Sequence, residues 1–163
     1  MIKQRTPFDC GIATLANTLG ITYEQSLDLY GQDKQRNGVT VQHTASILFG
    51  LGYAPVYTAF PGFVKASGIS MSTASPDILE SLGHPAILQV LTQSGLVHQV
   101  FFDGKNIFDP APSVYGPRSV SEYECVDAVF VIKQGRALVR KQGFSRAVVV
   151  NPIADTNPVR EPL

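Results

Sequence analysis

The sequence has no tryptophan, only two cysteines and three histidines, and no excess of charge of either sign. Because its net charge is zero, no overall field attracts the protein to nucleic acid or to an anionic membrane surface. No apolar run approaches the roughly 20 residues that span a bilayer, and the N-terminal MIKQRTPF lacks the apolar core of a signal peptide. We therefore expect no nucleic-acid partner, no membrane span and a cytoplasmic location.

The few cysteines and histidines form none of the common metal or cofactor motifs. Cys10 and Cys125 are far apart in a chain without CxxC or HExxH, and the glycine-rich nucleotide-binding motifs are also missing. We expect no metal, no cofactor and, in a reducing compartment, two free thiols. Cys125 precedes a strand-like segment and is predicted to be a half-buried structural thiol.

The charge is unevenly distributed along the 163 residues. Residues 133–163 carry six basic and two acidic side chains, whereas residues 1–132 carry seven basic and eleven acidic ones. The last thirteen residues also contain three prolines. We predict one domain over residues 1–150, which is long enough to bury a core, followed by an extended tail over residues 151–163.

Helix signals fill the first third of the chain. Asp9 is a good N-cap for a helix that stops at Gly20, and apolar residues recur between them at helical spacing. Thr22 and Gln25 form the pattern of a capping box at the start of a second helix. Thr40 is predicted to cap a third helix, VQHTASILFGL.

Strand signals dominate the rest of the chain. Ser75 is predicted to cap one more short helix, 75–82, and Ser121 with Glu124 to form a brief capped turn. This order of elements predicts an α+β domain, and the closely spaced strands beyond residue 84 predict an antiparallel meander. The predicted strands are 54–60, 85–91, 96–102, 106–109, 127–133 and 137–141.

Cys10 lies at the head of the first predicted helix, in QRTPFDCGIATL. A helix N-terminus stabilises a thiolate, and the free backbone N–H of Cys10 is placed to bond an oxyanion. Gly11 is expected to leave room for a substrate beside the thiol, whereas Asp9 opposes the thiolate unless its carboxylate turns back to cap the helix. The alternative interpretation is a buried cysteine that acts only as a small apolar residue.

His98 and Asp109 lie on two neighbouring predicted strands. If DGK turns the chain back, the Asp109 carboxylate reaches the His98 imidazole, accepts its N–H and selects its tautomer. The alternatives are a hydrogen-bonded core histidine and an Asp-Pro pair that only begins a turn. His43 and His84 are expected to be ordinary residues at helix surfaces or ends.

Two segments of the chain resemble the signatures of one enzyme family. QRTPFDCGIATLANTLG is similar to the first signature of the papain-like cysteine peptidases that remove double-glycine leaders from bacteriocins, with glutamine six residues before the cysteine. HQVFFDGKNIFDPAP is similar to their second signature, a histidine on a strand, a hairpin, and aspartate before proline. The resemblance covers about the first 130 residues and implies a papain-like fold, with N-terminal helices packed on an antiparallel sheet.

The resemblance also implies a role for four residues. Cys10 is the expected nucleophile, His98 the general base and then acid, Asp109 the residue that orients His98, and Gln4 an oxyanion-hole donor. Such a peptidase hydrolyses a peptide or isopeptide bond of a protein or peptide substrate through a thioester. The open alternatives are an amidase, transglutaminase or other acyltransferase, and an idle relative that serves binding or virion assembly in a bacterial or phage setting.

Overall fold

A five-stranded antiparallel sheet is the centre of residues 1–133, the part of the chain that the computed structural model describes. Its strands are β1 (Tyr53–Ala59), β2 (Ala86–Leu91), β3 (Val97–Phe102), β4 (Ile107–Phe108) and β5 (Glu124–Lys133). The helices are α1 (Cys10–Leu19), α2 (Tyr23–Tyr30), α3 (Lys34–Asn37), α4 (Val41–Gly50), α5 (Pro61–Ser67) and α6 (Asp77–Leu82), with a short 3-10 helix at Val120–Glu122. The strand order β1-β5-β2-β3-β4 gives the mixed helix and sheet architecture that the sequence predicts.

The predicted helix starts are confirmed where the capping contacts are local. Thr22 Oγ1 accepts the N–H of Gln25 at 3.1 Å and the Gln25 side chain accepts the N–H of Thr22 at 2.9 Å, which completes the capping box of α2. Thr40 Oγ1 accepts a backbone N–H of the first turn of α4. Gly20 ends α1 in the left-handed conformation, at φ 65°. No helix within residues 1–133 is long and apolar enough to cross a membrane.

Four local predictions are wrong. Ser75 does not cap the predicted helix 75–82, because α6 begins at Asp77 with Pro76 as its N-cap and has no side-chain capping bond. The short helix α3 lies between the second and third predicted helices, and α5 lies between the first predicted strand and the predicted helix 75–82, where the sequence predicts no helix. Pro61 in its first turn marks the start of α5.

The capped turn lies two residues earlier than predicted, with Ser119 and Glu122 as its members. Glu124 does not belong to this turn, because it is the first residue of β5 and pairs there with β2.

The predicted meander is confirmed, since β2, β3 and β4 are successive neighbours in the sheet. The last described strand then returns to lie between β2 and β1. As a central strand it is buried on both faces over most of its length, which explains its continuous apolar run. The predicted strand 137–141, the end of the domain at residue 150 and the tail 151–163 lie outside the described residues.

The two faces of the sheet form separate parts of the core. On one face, Ile12 and Leu15 of α1 pack in a cluster with Ile87 of β2. On the other face, Leu79 of α6 packs in a second cluster with Leu88 of β2. Each of these fully buried side chains stabilises the fold by about 1.5–3 kcal/mol, so α1 is firmly held against the sheet that carries His98.

Candidate active site

Cys10 is the first residue of α1 and is partly exposed, at the end of the helix that packs on β3. Asp9 occupies the preceding position, but its side chain makes no capping bond to the helix. The expectation that its carboxylate turns back to cap α1 is therefore wrong. The carboxylate instead accepts the backbone N–H groups of Arg5 and Thr6 and the hydroxyl of Tyr23.

Gly11 serves close packing rather than access to the thiol. A Cβ at this position would lie 2.2 Å from Val39 Cγ2 and 2.6 Å from Gln99 Oε1. Thr14, one turn further along α1, donates its hydroxyl proton to the carbonyl oxygen of Gln99 at 2.9 Å. Because Gly11 and Gln99 directly follow Cys10 and His98, this contact determines how closely the two predicted catalytic side chains approach.

His98 and Asp109 form the contact that the hairpin predicts. Residues Phe101 and Phe108 are opposite each other in the pairing of β3 with β4. Continuing this register places Asp109 opposite Val100, with His98 as its diagonal neighbour on the same face. The distance between His98 Nε2 and Asp109 Oδ1 is 2.8 Å, and both side chains are largely buried.

The surroundings of His98 favour its charged form. Burial alone lowers the pKa of His98, but hydrogen bonds to Asp109 and Cys10 outweigh it and raise that pKa to about 9. Since Nε2 is taken by Asp109, Nδ1 is the ring nitrogen left for the thiol of Cys10. The structure thus places Cys10 beside the hydrogen-bonded pair of His98 and Asp109.

Asp109 is held by more partners than sequence reasoning foresaw. Its Oδ2 accepts the hydroxyl proton of Tyr123 at 3.0 Å, and its Oδ1 accepts the N–H of Ala111 at 2.8 Å as well as the proton shared with His98. Burial raises the pKa of Asp109, but the His98 and Ala111 hydrogen bonds prevail and lower it overall. No local sequence signal marks Tyr123, because it approaches from the segment before β5.

The loop after Asp109 is tied to the N-terminal segment by Lys3. The Lys3 ammonium group donates to the carbonyl oxygens of Asp109 and Ala111 at 3.0 Å each, and to that of Val114. These contacts engage all three of its N–H donors. Lys3 is a second residue that sequence reasoning missed, because its partners lie more than 100 positions away.

Gln4 is placed beside the same loop. Its backbone N–H donates to the carbonyl oxygen of Pro110 at 2.9 Å, and its side-chain Nε2 donates to the carbonyl oxygen of Thr6 at 3.0 Å. The remaining N–H of the side-chain amide is available to a further acceptor. Gln4, His98 and Asp109 are among the residues that line an open groove of about 830 Å³.

The other residues singled out from the sequence lie elsewhere. Cys125 is fully buried in the core cluster that also contains Leu79, rather than half-buried as predicted, and burial raises its pKa to about 11. His43 lies in α4, and its ring is perpendicular to that of Tyr30. His84 is exposed just after α6. Neither histidine lines the groove beside His98.

No protein-family model and no curated protein sequence matches this chain. The chain is similar in structure to the peptidase domain of Streptococcus ComA, a bi-functional ABC transporter involved in a quorum-sensing pathway. The TM-score is 0.55 at 20% sequence identity, and the similarity covers 82% of this chain and 97% of that chain. The protein thus has a papain-like peptidase fold, and the family resemblance of its sequence is confirmed at the level of the fold.

Proposed function

We propose that this protein is a cysteine peptidase that hydrolyses a peptide or isopeptide bond through a thioester. The observation that carries the proposal is the position of Cys10 beside the pair of His98 and Asp109 on a papain-like fold, with His98 bonded to Asp109 at 2.8 Å and in contact with Cys10. The structural neighbour is a peptidase domain, which supports a hydrolase and a protein substrate.

The first half of the reaction forms the thioester. In the reactive form the thiol proton resides on His98, and the thiolate sulfur of Cys10 attacks the carbonyl carbon of the scissile bond. The oxyanion that results accepts hydrogen bonds from the backbone N–H of Cys10, which no Asp9 cap occupies, and from the remaining N–H of the Gln4 amide. His98 then gives its proton to the departing amine nitrogen as the C–N bond breaks.

The second half of the reaction releases the acid. His98, now neutral, takes a proton from water as the water oxygen attacks the thioester carbonyl. Collapse of this intermediate breaks the bond between the acyl carbon and the sulfur and regenerates the Cys10 thiolate beside protonated His98. The product leaves as a carboxylic acid, which gives its proton to water. Throughout the cycle Asp109 holds the imidazole in the tautomer whose Nδ1 faces the sulfur.

The test is incubation of the protein with a peptide library prepared from a bacterial proteome, in water half-enriched in ¹⁸O. We expect new peptide ends in mass spectra, with one oxygen of each new carboxyl group derived from water. Since a thioester also reacts with amines, a parallel reaction with added glycine amide tests the acyltransferase alternative. Products that carry glycine amide and no ¹⁸O would contradict hydrolysis.

Two variants show whether any cleavage belongs to this site. Cys10→Ala is expected to abolish the new peptide ends, and Cys125→Ala is the matched control that retains them. Cleavage that persists in Cys10→Ala would overturn the proposed function.

A further inference from the structure

Asp9 is a fully buried carboxylate next to the proposed nucleophile, yet the mechanism above does not use it. The hydrogen bonds of its carboxylate are all to residues outside α1. Oδ1 accepts the N–H groups of Arg5 and Thr6 at 3.1 Å each, and Oδ2 accepts the hydroxyl proton of Tyr23 at 2.5 Å. A carboxylate that is withdrawn from water and bonded at both oxygens holds its neighbours in one geometry.

The phenol of Tyr23 is itself held in place. Its ring lies under the guanidinium group of Arg5, 3.8 Å from the ring centroid, and its oxygen accepts an N–H of Gln35 at 3.1 Å. Burial and the hydrogen bond to Asp9 raise the pKa of Tyr23 to about 12. Tyr23 therefore remains a donor to Asp9 throughout the neutral range.

A continuous chain of contacts runs from Asp9 to Gln4. Asp9 binds the amide of Thr6, and the carbonyl oxygen of Thr6 accepts one N–H of the Gln4 side chain at 3.0 Å. Within residues 1–133 the other N–H of that amide has no acceptor. The orientation of the Gln4 amide thus depends on a turn whose backbone is bound by Asp9.

We propose that Asp9 is a positioning residue that shapes the turn of residues 4–6 and so aims the side-chain amide of Gln4 at the substrate oxyanion. The inference rests on the proposed peptidase function. In this proposal Asp9 acts by holding the turn in place, and not through the repulsion between its negative charge and the neighbouring thiolate. The two roles differ in their consequences, because an asparagine preserves the geometry and removes the charge.

The experiment compares Asp9→Ala, Asp9→Asn and Gln4→Ala, and the double variant Asp9→Ala with Gln4→Ala. The substrate is the library peptide that the wild-type protein cleaves fastest. We expect Asp9→Ala to lower kcat about 10²-fold with little change in KM, the lower end of the 10²- to 10³-fold loss that follows removal of an oxyanion-hole donor. Asp9→Asn is expected to retain most activity, since its Oδ1 still accepts both amides and its Nδ2 bonds the Tyr23 oxygen. The exposed Asp28→Ala is the matched control.

Two further readouts separate positioning from general damage. The double variant is expected to be no slower than Gln4→Ala alone, because both changes remove the same interaction. Alkylation of Cys10 by iodoacetamide forms no oxyanion and therefore does not use the Gln4 amide. We expect the rate of alkylation and its pH profile to be equal in the wild type, Asp9→Ala and Asp9→Asn.

Each contrary result has its own meaning. Full activity in Asp9→Ala, losses that multiply in the double variant, or a common shift of the alkylation profile in Asp9→Ala and Asp9→Asn would overturn the inference alone. A wild-type protein without cleavage that depends on Cys10 would overturn the proposed function as well, before any Asp9 variant is compared.

A second variant applies if Asp9→Ala does not fold. Tyr23→Phe removes the phenol hydrogen bond to Asp9 together with the one from Gln35, and keeps the ring under Arg5. We expect it to lower kcat about twofold to tenfold, the contribution of one hydrogen bond, and to have no effect in the Gln4→Ala background. An effect of the same size in that background contradicts the inference.

Discussion

The two cysteines of this protein have opposite surroundings. Cys10 is partly exposed at the head of α1, within reach of the charged imidazole of His98. Cys125 is buried between the sheet and α5, in a cluster with residues such as Phe60 and Leu79, and burial raises its pKa to about 11. Both are free thiols, so the difference in their chemistry comes from their neighbours.

The comparison teaches that reactivity depends on what can stabilise the thiolate. At Cys10 a helix N-terminus and an imidazolium supply hydrogen bonds and positive charge. At Cys125 the charged form would have to be buried among apolar side chains, which costs far more than it gains. The following predictions test this contrast, beginning with the largest expected effect.

Replacing each cysteine in turn by serine tests the contrast most directly. We expect Cys10→Ser to lower kcat/KM for the cleaved peptide by about 10⁴-fold or more, since a hydroxyl is a much weaker nucleophile than a thiolate. Cys125→Ser, assayed under conditions where it is fully folded, is expected to keep kcat/KM within about twofold of the wild type. Cys125 lies in the core away from the site, so its substitution affects stability and not the geometry of Cys10 and His98. Equal losses in the two variants would remove the distinction.

His98→Ala removes the partner that Cys10 has and Cys125 lacks. We expect kcat/KM to fall about 10²- to 10⁴-fold, the usual contribution of a general base. The exposed His84→Ala is the control and is expected to match the wild type. A His98→Ala variant with wild-type turnover would contradict the role assigned to the imidazole.

The pH profile of the wild type gives the same test without a variant. Because the pKa of His98 is raised to about 9, its charged form persists through the neutral range and is lost as the pH rises through that value. We therefore expect kcat/KM to decline above about pH 9. A decline centred near pH 6.5, the ordinary value for histidine, would show that Asp109 and Cys10 do not stabilise the imidazolium.

The effect of substitution on stability is expected to be larger at Cys125 than at Cys10, the opposite of the order expected for activity. Cys125→Ser places a hydroxyl in an apolar core, and we expect the free energy of unfolding to fall by about 1–3 kcal/mol. Cys10→Ser, at a partly exposed position, is expected to change it by less than about 0.5 kcal/mol. Urea denaturation followed by circular dichroism measures both values. A larger loss of stability at position 10 would contradict the contrast in burial.

The smallest expected effect comes from the partner that holds Asp109. Tyr123→Phe removes one hydrogen bond to the carboxylate, and we expect kcat to fall about twofold to tenfold, as one such bond contributes. Tyr115→Phe is the matched control, because Tyr115 is 76% exposed. Equal rates in the two variants would show that Tyr123 does not help to position Asp109.

Much of the local structure follows from the sequence because its causes are local. The capping box of Thr22 and Gln25 spans four residues, and the hairpin that joins His98 to Asp109 spans twelve. The sequence predicts the capped turn two residues too late, because it contains two overlapping serine–glutamate patterns, Ser119 with Glu122 and Ser121 with Glu124. Pairing of Glu124 in the sheet and its ion pair with Lys65 decide between them, and both contacts are remote in the chain.

The site was predictable only in part for the same reason. Cys10, His98 and Asp109 are marked by residue type, local structure and resemblance, and the structure brings them together. Tyr123 and Lys3 reach the same site from segments that carry no pattern of their own. Their contribution depends on where β5 and the N-terminal segment pass, which local periodicity does not encode.

The sequence by itself determined where α1, α2 and α4 begin, the α+β class, and the hairpin that carries a histidine and an aspartate to one face. The tertiary structure alone decided that Asp9 turns away from α1, that Gly11 packs beneath Val39 and Gln99, and that Cys125 is fully buried. The reason is physical. Caps and hairpins are formed by residues a few positions apart, whereas burial and the direction of a side chain depend on partners that only the packed chain brings near.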